Sequence, residues 1–353
     1  MVRNTQMMQH DAPTALVVES FRGCNMRCRH CNVPWVGRPQ GSAVGVMPPQ
    51  VFEALGCLFP FVEAIGYDSM GEPTLNEHLP AFIREQKRRA PASVARMTSN
   101  LLGVSRDLVH DLLDAGLNQL QVSIDGARED VFRAHRVGST LAHTTTMVRT
   151  VLEVAGELHA PDFEVVCCFV AKTDNVNELP DVLALLAELG VSALYVNGLE
   201  AYDEANYERA LWTTSQGRRA ARSAFEETAR VNSQLAVPLV LGFPRLYPIR
   251  SGCDLPIGTM TVNHDGTVSP CFVAGMPTAV YGVNGVAMER MPVVFGNVLE
   301  RSALDIWRDP AYRAFRRKAA RGDEGRPKIC NTCLRGAGVI CTSATKAGAF
   351  RDA

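Results

Sequence analysis

The residues able to do chemistry here are cysteines, 11 of them in 353 positions. Three stand together as Cys24-Asn-Met-Arg-Cys28-Arg-His-Cys31, a CxxxCxxC spacing. Thiolate is a soft ligand suited to iron–sulfur clusters and to zinc. Three thiolates on one short loop can take three corners of a [4Fe–4S] cube and leave the fourth iron open to another ligand. Zinc would use the Cys28-Arg-His-Cys31 half-site with His30, and structural zinc wants a fourth ligand. A second set, Cys253, Cys271, Cys330 and Cys333, draws on distant positions and ends in a CxxC. Four such thiolates can close around one metal site, and their spacing alone does not separate zinc from iron–sulfur.

Composition frames this chemistry. The cysteine count is odd, and the segment MVRNTQMMQHDAP has neither the apolar stretch nor the cleavage site of an export signal. A cytoplasmic chain with reduced thiols is expected, its cysteines serving metal or catalysis rather than disulfides. The net charge of −1 leaves no basic footprint for nucleic acid. No apolar run approaches the ~20 residues of a membrane span. Only five of the 36 basic residues are Lys, which together with abundant Ala suggests a GC-rich bacterial genome.

The elements that must hold these residues follow from periodicity. Apolar runs at 15–20, 62–68, 94–99, 119–125, 163–172 and 193–200 alternate with amphipathic stretches at 77–89, 105–115, 141–158 and 176–189. Gly116 and Gly190 close two of these as helix stops. Strands alternating with helices predict an α/β chain with a parallel sheet, here a partial (β/α)6 barrel. Ligands in such folds gather at the C-terminal ends of the strands. Residues 205–236 read as one long polar helix with Arg218, Arg219 and Arg222 on a solvated face. From about residue 250 the pattern becomes a small α+β cysteine-rich domain. Its hairpin turns at Asp265-Gly266, and helices follow at 302–321. Cys57 reads as a small buried hydrophobe. Cys167 and Cys168, adjacent on the fifth strand, point to opposite faces, both buried in a parallel barrel.

The first cysteine motif resembles the signature of the radical S-adenosylmethionine (SAM) superfamily, and later motifs agree in order and position. Gly71-Glu72-Pro73 follows the second strand and is similar to the GGEP segment that holds the SAM amino group in relatives, with Met70 in place of its first glycine. Ser99 and Asn100 end the third strand, where small polar residues contact SAM. Ser123 and Asp125 end the fourth, at the position of the ribose site. Arg136 stands where relatives often place an arginine for the SAM carboxylate. Asn197, on the sixth strand, is a further candidate for cofactor binding. The resemblance implies that Cys24, Cys28 and Cys31 hold a SAM-binding [4Fe–4S] cluster. Cys253, Cys271, Cys330 and Cys333 resemble the ligands of a SPASM/Twitch extension, with Gly296-Asn297-Val298 and Ala303-Leu-Asp-Ile-Trp307 between hairpin and CxxC. One auxiliary [4Fe–4S] cluster is expected there, in the shorter Twitch-like form, with Cys341 as a spare or alternative ligand.

The domain boundaries implied are a tail at 1–14, the radical SAM barrel at 15–204, a connecting helix and linker at 205–249, and the auxiliary-cluster domain at 250–353. The resemblance also implies reductive cleavage of SAM to a 5′-deoxyadenosyl radical that takes hydrogen from a substrate carbon. An external electron donor of the flavodoxin or ferredoxin class is expected, with no nucleic acid or membrane partner. Many relatives that modify peptides carry an N-terminal leader-binding domain, for which a first strand near residue 15 leaves no room. The expected substrate is therefore a small hydroxyl-rich natural-product intermediate: an aminosugar, aminocyclitol or sugar nucleoside from antibiotic biosynthesis. Dehydrogenation of a secondary alcohol leads, with the auxiliary cluster as electron acceptor. Epimerisation, decarboxylation, peptide maturation and a non-catalytic zinc-stabilised protein are the alternatives. Cys168 and Lys172 are the catalytic candidates, because Cys168 below Lys172 inside the barrel could donate a hydrogen atom. Glu19, Tyr67, Asp68, Lys172, Asn197, Glu200 and Tyr202 are candidate sugar contacts.

Overall fold

A computed structural model describes residues 11–33, 44–247, 252–253, 255–275, 277–282, 284–321, 325–330 and 333–334. The six predicted strands form as β1 (Ala15–Val18), β4 (Ala64–Gly66), β5 (Val94–Ser99), β6 (Gln119–Ser123), β7 (Glu164–Ala171) and β8 (Ala193–Gly198). They pair in that order, all parallel. Most of their residues are buried, as in a parallel sheet covered on both faces. Two short strands, β2 (Phe21–Arg22) and β3 (Gly45–Val46), pair antiparallel beyond the end of β1.

Helices Leu79–Arg89, Arg106–Asp114, Leu141–Glu157 and Leu179–Leu189 fill the predicted amphipathic stretches. Their ends are set locally. The Ser105 hydroxyl accepts from Leu108 N at 3.1 Å and that of Thr140 from His143 N at 3.0 Å, each satisfying an orphan first-turn donor. Gly190 stops its helix in the left-handed region at φ 78°, where a side chain would be strained. A small, wholly apolar cavity lined by Met97, Leu101, Leu112, Val151 and Phe163 lies between sheet and helices.

The sheet extends beyond six strands. β9 (Val240–Gly242) adds parallel to β8. The hairpin of β10 (Thr259–Val262) and β11 (Val268–Ser269) adds at the other edge, with β10 parallel to β1. The nine-stranded order is β11-β10-β1-β4-β5-β6-β7-β8-β9. The cysteine-rich segment thus begins as an extension of the barrel sheet, hydrogen-bonded to its first strand. A further hairpin, β12 (Thr278–Tyr281) and β13 (Ala287–Arg290), stands apart from it.

Two expectations are corrected. The long polar helix is broken into Glu204–Arg209 and Ser215–Asn232. Leu211 and Trp212 turn inward and are buried, and Thr214 caps the second helix by accepting from Gly217 N at 3.0 Å. Cys57 is exposed rather than buried. Its segment tightens into a 3-10 turn, Ala54–Cys57, and three residues per turn rather than 3.6 move side chains to another face. Among the described residues no helix is long and apolar enough to cross a membrane.

Candidate active site

The first cysteine loop is bolted to the segment after β4. Gly23 pairs with Gly71 in an isolated parallel bridge. Gly23 N donates to Met70 O at 3.2 Å, and Glu72 N donates to Gly23 O at 2.8 Å. A Cβ on Gly71 would lie 1.9 Å from Phe21 O and 2.9 Å from Gly23 O, so only glycine permits this approach. Met70 contributes its carbonyl, and that contact needs no glycine at position 70.

Glu72 then gathers the strand ends. Its carboxylate accepts from Ser99 Oγ at 2.8 Å, Asn100 N at 2.8 Å and Thr74 Oγ1 at 2.7 Å. Burial pushes this carboxyl above its usual range, and those hydrogen bonds oppose the rise. Asn100 continues the chain of contacts, with Nδ2 at 3.3 Å from Cys24 Sγ and 2.9 Å from Asn25 Oδ1. The predicted residues Gly71, Glu72, Pro73, Ser99 and Asn100 therefore form one connected framework against Cys24.

The three thiols of the loop share one electrostatic environment. Burial pushes Cys24 up to about 12, and Glu72, Cys31 and Cys28 add to the rise. Burial pushes Cys31 up to about 11; Cys28 and Glu200 add to it, while Arg136 opposes. Three mutually interacting thiols fit a cluster that keeps one iron for another ligand. Among the described residues no three His, Cys, Asp or Glu groups close on a single-ion position.

Behind this loop lies a buried charge cluster. Asp125 is fully buried, with Oδ2 at 2.7 Å from Arg136 Nε, 3.5 Å from His30 Nε2 and 3.8 Å from Lys172 Nζ. Its Oδ1 accepts from Val170 N at 2.7 Å. Despite the cost of burial, the Arg136 and Lys172 charges hold the Asp125 carboxyl well below the usual range. Its oxygens are thus engaged by protein, which leaves Ser123, half-buried at the end of β6, as the more available residue of the expected ribose pair. Arg136 reaches from Asp125 toward the cysteine loop, with NH1 at 3.8 Å from Cys28 Sγ.

Cys168 and Lys172 differ in what they can reach. Lys172 is wholly buried, and its Nζ donates to Val170 O at 2.8 Å. The Lys172 ammonium thus belongs to the charge cluster around Asp125. Cys168 pairs in register with Ser123 on β6, and its sulfur is met by Asn197 Nδ2 from β8 at 2.7 Å. Arg136 interacts electrostatically with both Cys28 and Cys168. Cys168, within β7, is therefore a neighbour of Asn197, Ser123 and Arg136.

The second cysteine set converges likewise. Cys253 N donates to Ala319 O at 2.9 Å, Cys271 precedes the 3-10 turn Phe272–Ala274, and Cys333 N donates to Cys330 O at 3.4 Å. Burial pushes the Cys271 thiol far up, and Cys333, Cys253 and Cys330 all add to the rise. Four thiols interacting in this way fit a cluster with four protein ligands. Trp307 and Tyr312 pack edge to face beside it, with the Arg316 guanidinium 3.7 Å over the Trp307 ring. Cys341 lies outside the described residues.

Residues 18–186 match the family model of the radical SAM superfamily. Residues 253–334 match SPASM, an iron–sulfur cluster-binding domain. The chain is a radical SAM protein with a C-terminal SPASM domain. It is 24% identical over 310 residues to the tungsten-containing aldehyde ferredoxin oxidoreductase cofactor-modifying protein of Pyrococcus furiosus, covering 85% of this chain and 82% of that one. It is 25% identical over 337 residues to the PqqA peptide cyclase of Methylobacterium nodulans, covering 92% and 79%. Its fold is similar to that of Streptococcus suis SuiB bound to S-adenosylmethionine, with a TM-score of 0.62 at 15% identity, covering 90% and 71%.

In this radical SAM protein several candidate sugar contacts are already spent. Glu19 is buried and takes Arg22 NH2 at 2.7 Å and His264 Nδ1 at 2.9 Å, tying β1 to the turn after β10. Tyr67 donates to Gln86 at 2.9 Å, and Asp68 accepts from Thr98 at 3.1 Å. Glu200 accepts from Tyr202 at 3.1 Å and from Arg290 NH1 at 3.1 Å. Arg290 was not legible as a site residue, since an arginine on a short strand carries no motif.

Proposed function

We propose that this protein removes hydrogen from a secondary alcohol carbon of a small hydroxyl-rich intermediate, of the aminosugar, aminocyclitol or sugar-nucleoside class. Bound at the open iron of the first cluster, SAM supplies the hydrogen-abstracting 5′-deoxyadenosyl radical on one-electron reduction. Cys24, Cys28 and Cys31 would hold that cluster. Asn100 and Glu72 fix the loop beside it, and Ser99, Ser123 and Arg136 line the strand ends where SAM would lie. Oxidation of the alcohol to a ketone would send one hydrogen atom to the SAM-derived carbon and one proton to solvent, and the remaining electron would be taken by the cluster that Cys253, Cys271, Cys330 and Cys333 would hold. A donor and acceptor of the flavodoxin or ferredoxin class closes the electron cycle.

One observation carries the choice of a hydroxyl-rich substrate: the way the β12–β13 hairpin is tied to the barrel. Tyr281 N donates to Ala201 O at 2.7 Å, Asn32 Nδ2 to Thr278 Oγ1 at 2.6 Å, and Arg290 to Glu200 at 3.1 Å. These ties set the hairpin against the residue after Cys31 and the segment after β8 and bring polar groups together there, which supports a hydroxyl-rich substrate. Epimerisation is the second reading, and it is favoured by the Cys168 thiol beside Asn197, a hydrogen donor placed within β7.

The test is anaerobic reconstitution with SAM and a reductant, in the presence of 2-deoxystreptamine-type aminocyclitols, uridine sugars or a synthetic peptide. Stimulated 5′-deoxyadenosine with a ketone product from a polyol supports the proposal. Stimulation by the peptide alone, with a modified peptide as product, replaces it with maturation.

A further inference from the structure

Arg290 ends β13 with its side chain only 2% exposed. NH1 pairs with Glu200, while Nε and NH2 are buried with no hydrogen-bond partner among the described residues. Leaving buried guanidinium donors unmet costs free energy that a folded chain usually avoids, so an anionic acceptor belongs at this edge. Two acceptors could supply it, a substrate carboxylate or an iron–sulfur site with its thiolates.

The surroundings favour the second. Beyond Arg290 the chain runs beside the turn that follows Cys271, where Val293 N donates to Ala274 O at 3.0 Å. The positive charges of Arg326 and Arg290 both pull the Cys330 thiol downward against its burial. On the other side, Glu200 pushes Cys31 upward. In register, Arg290 lies opposite Thr278, the residue that Asn32 contacts. The Glu200–Arg290 pair therefore stands between the two cysteine sets, with its negative end toward the first and its positive end toward the second.

We propose that Arg290 sets the potential at which the four-cysteine cluster accepts an electron, with Glu200 as the opposing charge that limits its effect. The proposal rests on the reading that this set holds a redox-active cluster. Reduction adds one negative charge to a buried site. A fixed guanidinium near the thiolates stabilises that charge more than it stabilises the oxidised state. Electron acceptance from a substrate radical then becomes easier, while the first cluster beside Glu200 is kept harder to reduce.

The experiment isolates the auxiliary site with the triple variant Cys24→Ala, Cys28→Ala, Cys31→Ala, reconstituted anaerobically with iron and sulfide. Iron content comes first: about four irons per chain are expected from one remaining cluster. Absence of iron from this parent overturns the cluster reading itself, and the proposal with it. The midpoint of the reduced-cluster electron paramagnetic resonance signal is then titrated in the parent, Arg290→Gln, Arg290→Lys and Glu200→Gln. In Arg290→Gln, the reduced-to-oxidised ratio at the parent midpoint should fall about tenfold, equivalent to 59 mV for one electron. Arg290→Lys should stay near the parent, and Glu200→Gln should shift the other way. An iron-replete Arg290→Gln with the parent midpoint overturns the proposal. If that variant binds no iron, Glu200→Gln decides: a shift toward easier reduction supports the proposal, and no shift overturns it.

Discussion

Arg136 holds Nε 2.7 Å from Oδ2 of Asp125 in the buried interior while its NH1 stands 3.8 Å from Sγ of Cys28. One side chain thus links the fourth strand's end to the cluster loop. Its anchoring needs Asp125, because an arginine in this position is otherwise an uncompensated buried charge. Asp125 also faces Lys172 and the His30 imidazole, which burial and Lys172 keep from protonating, so two cations share one carboxylate.

Asp125→Asn should therefore destabilise the protein strongly. Removing one partner of a buried ion pair typically costs about 3–5 kcal/mol, and here two cations lose their counterion together. Urea unfolding of the anaerobically reconstituted protein measures this, with loss of SAM binding as the accompanying functional effect. A change below about 1 kcal/mol, the range of surface pairs, would show that Asp125 is not the hub of this cluster.

Lys172 gives the same cluster a pH signature. Burial pushes its ammonium down from 10.5 to about 8, with Arg136 pushing the same way and Asp125 opposing. Between those values the unfolded chain binds more protons at this residue than the folded chain does, so its contribution makes stability rise with pH. Below about 8 both states are protonated and the slope vanishes. Unfolding free energies at about pH 8 and about pH 10 should differ by more in the wild type than in Lys172→Met, by an amount on the order of 2 kcal/mol. Equal slopes in the two proteins would contradict the assignment.

Glu72 offers a sharper chemical test. Each contact to its carboxylate comes from a donor: Ser99 Oγ, Asn100 N and the Thr74 N and Oγ1 groups. Glu72→Gln keeps the shape but turns one acceptor into a donor, which must face another donor. A buried unmet group of this kind costs about 1–3 kcal/mol. Because Asn100 reaches Cys24, the variant should also lose iron from the first cluster while keeping the auxiliary one, halving the iron per chain. Full iron content with wild-type stability would mean that the framework does not depend on this acceptor set.

Much of this arrangement was legible in the sequence, and the rest was hidden for physical reasons. Val94–Ser99 announced β5 residue for residue, because a strand buried on both faces reads as a bounded apolar run. The cysteine loop announced itself by ligand spacing. Pairing of β10 with β1 was not legible, since Ala15 and Thr259 are partners across a separation that no local period records. Nor was the break at Leu211 and Trp212, where tertiary burial overrides helical pattern. Glu19 and Tyr67 looked available because a strand-end position says nothing about the partner a side chain finds. Arg290 was hidden for the converse reason: its importance lies in donors left unmet, which only three dimensions reveal.

The Asn197–Cys168 contact separates the two radical outcomes. Cys168 lies within β7 in register with Ser123, the last residue of β6, with its sulfur 2.7 Å from Asn197 Nδ2. In a dehydrogenation the substrate radical leaves its electron with the auxiliary cluster, and the thiol serves only as packing. Cys168→Ala should then keep oxidation within a few-fold of wild type, since a thiol used for packing behaves as a small hydrophobe. The product formed in deuterated water should carry no new C–D bond. In an epimerisation the thiol must return a hydrogen atom to the same carbon. Cys168→Ala would then abolish inversion while 5′-deoxyadenosine still forms, and wild-type product would gain one solvent deuterium through the exchangeable S–H. Mass spectrometry of the product from both proteins reads the difference directly. A ketone without deuterium from both upholds dehydrogenation, and a deuterated alcohol from the wild type alone transfers the catalytic role to Cys168.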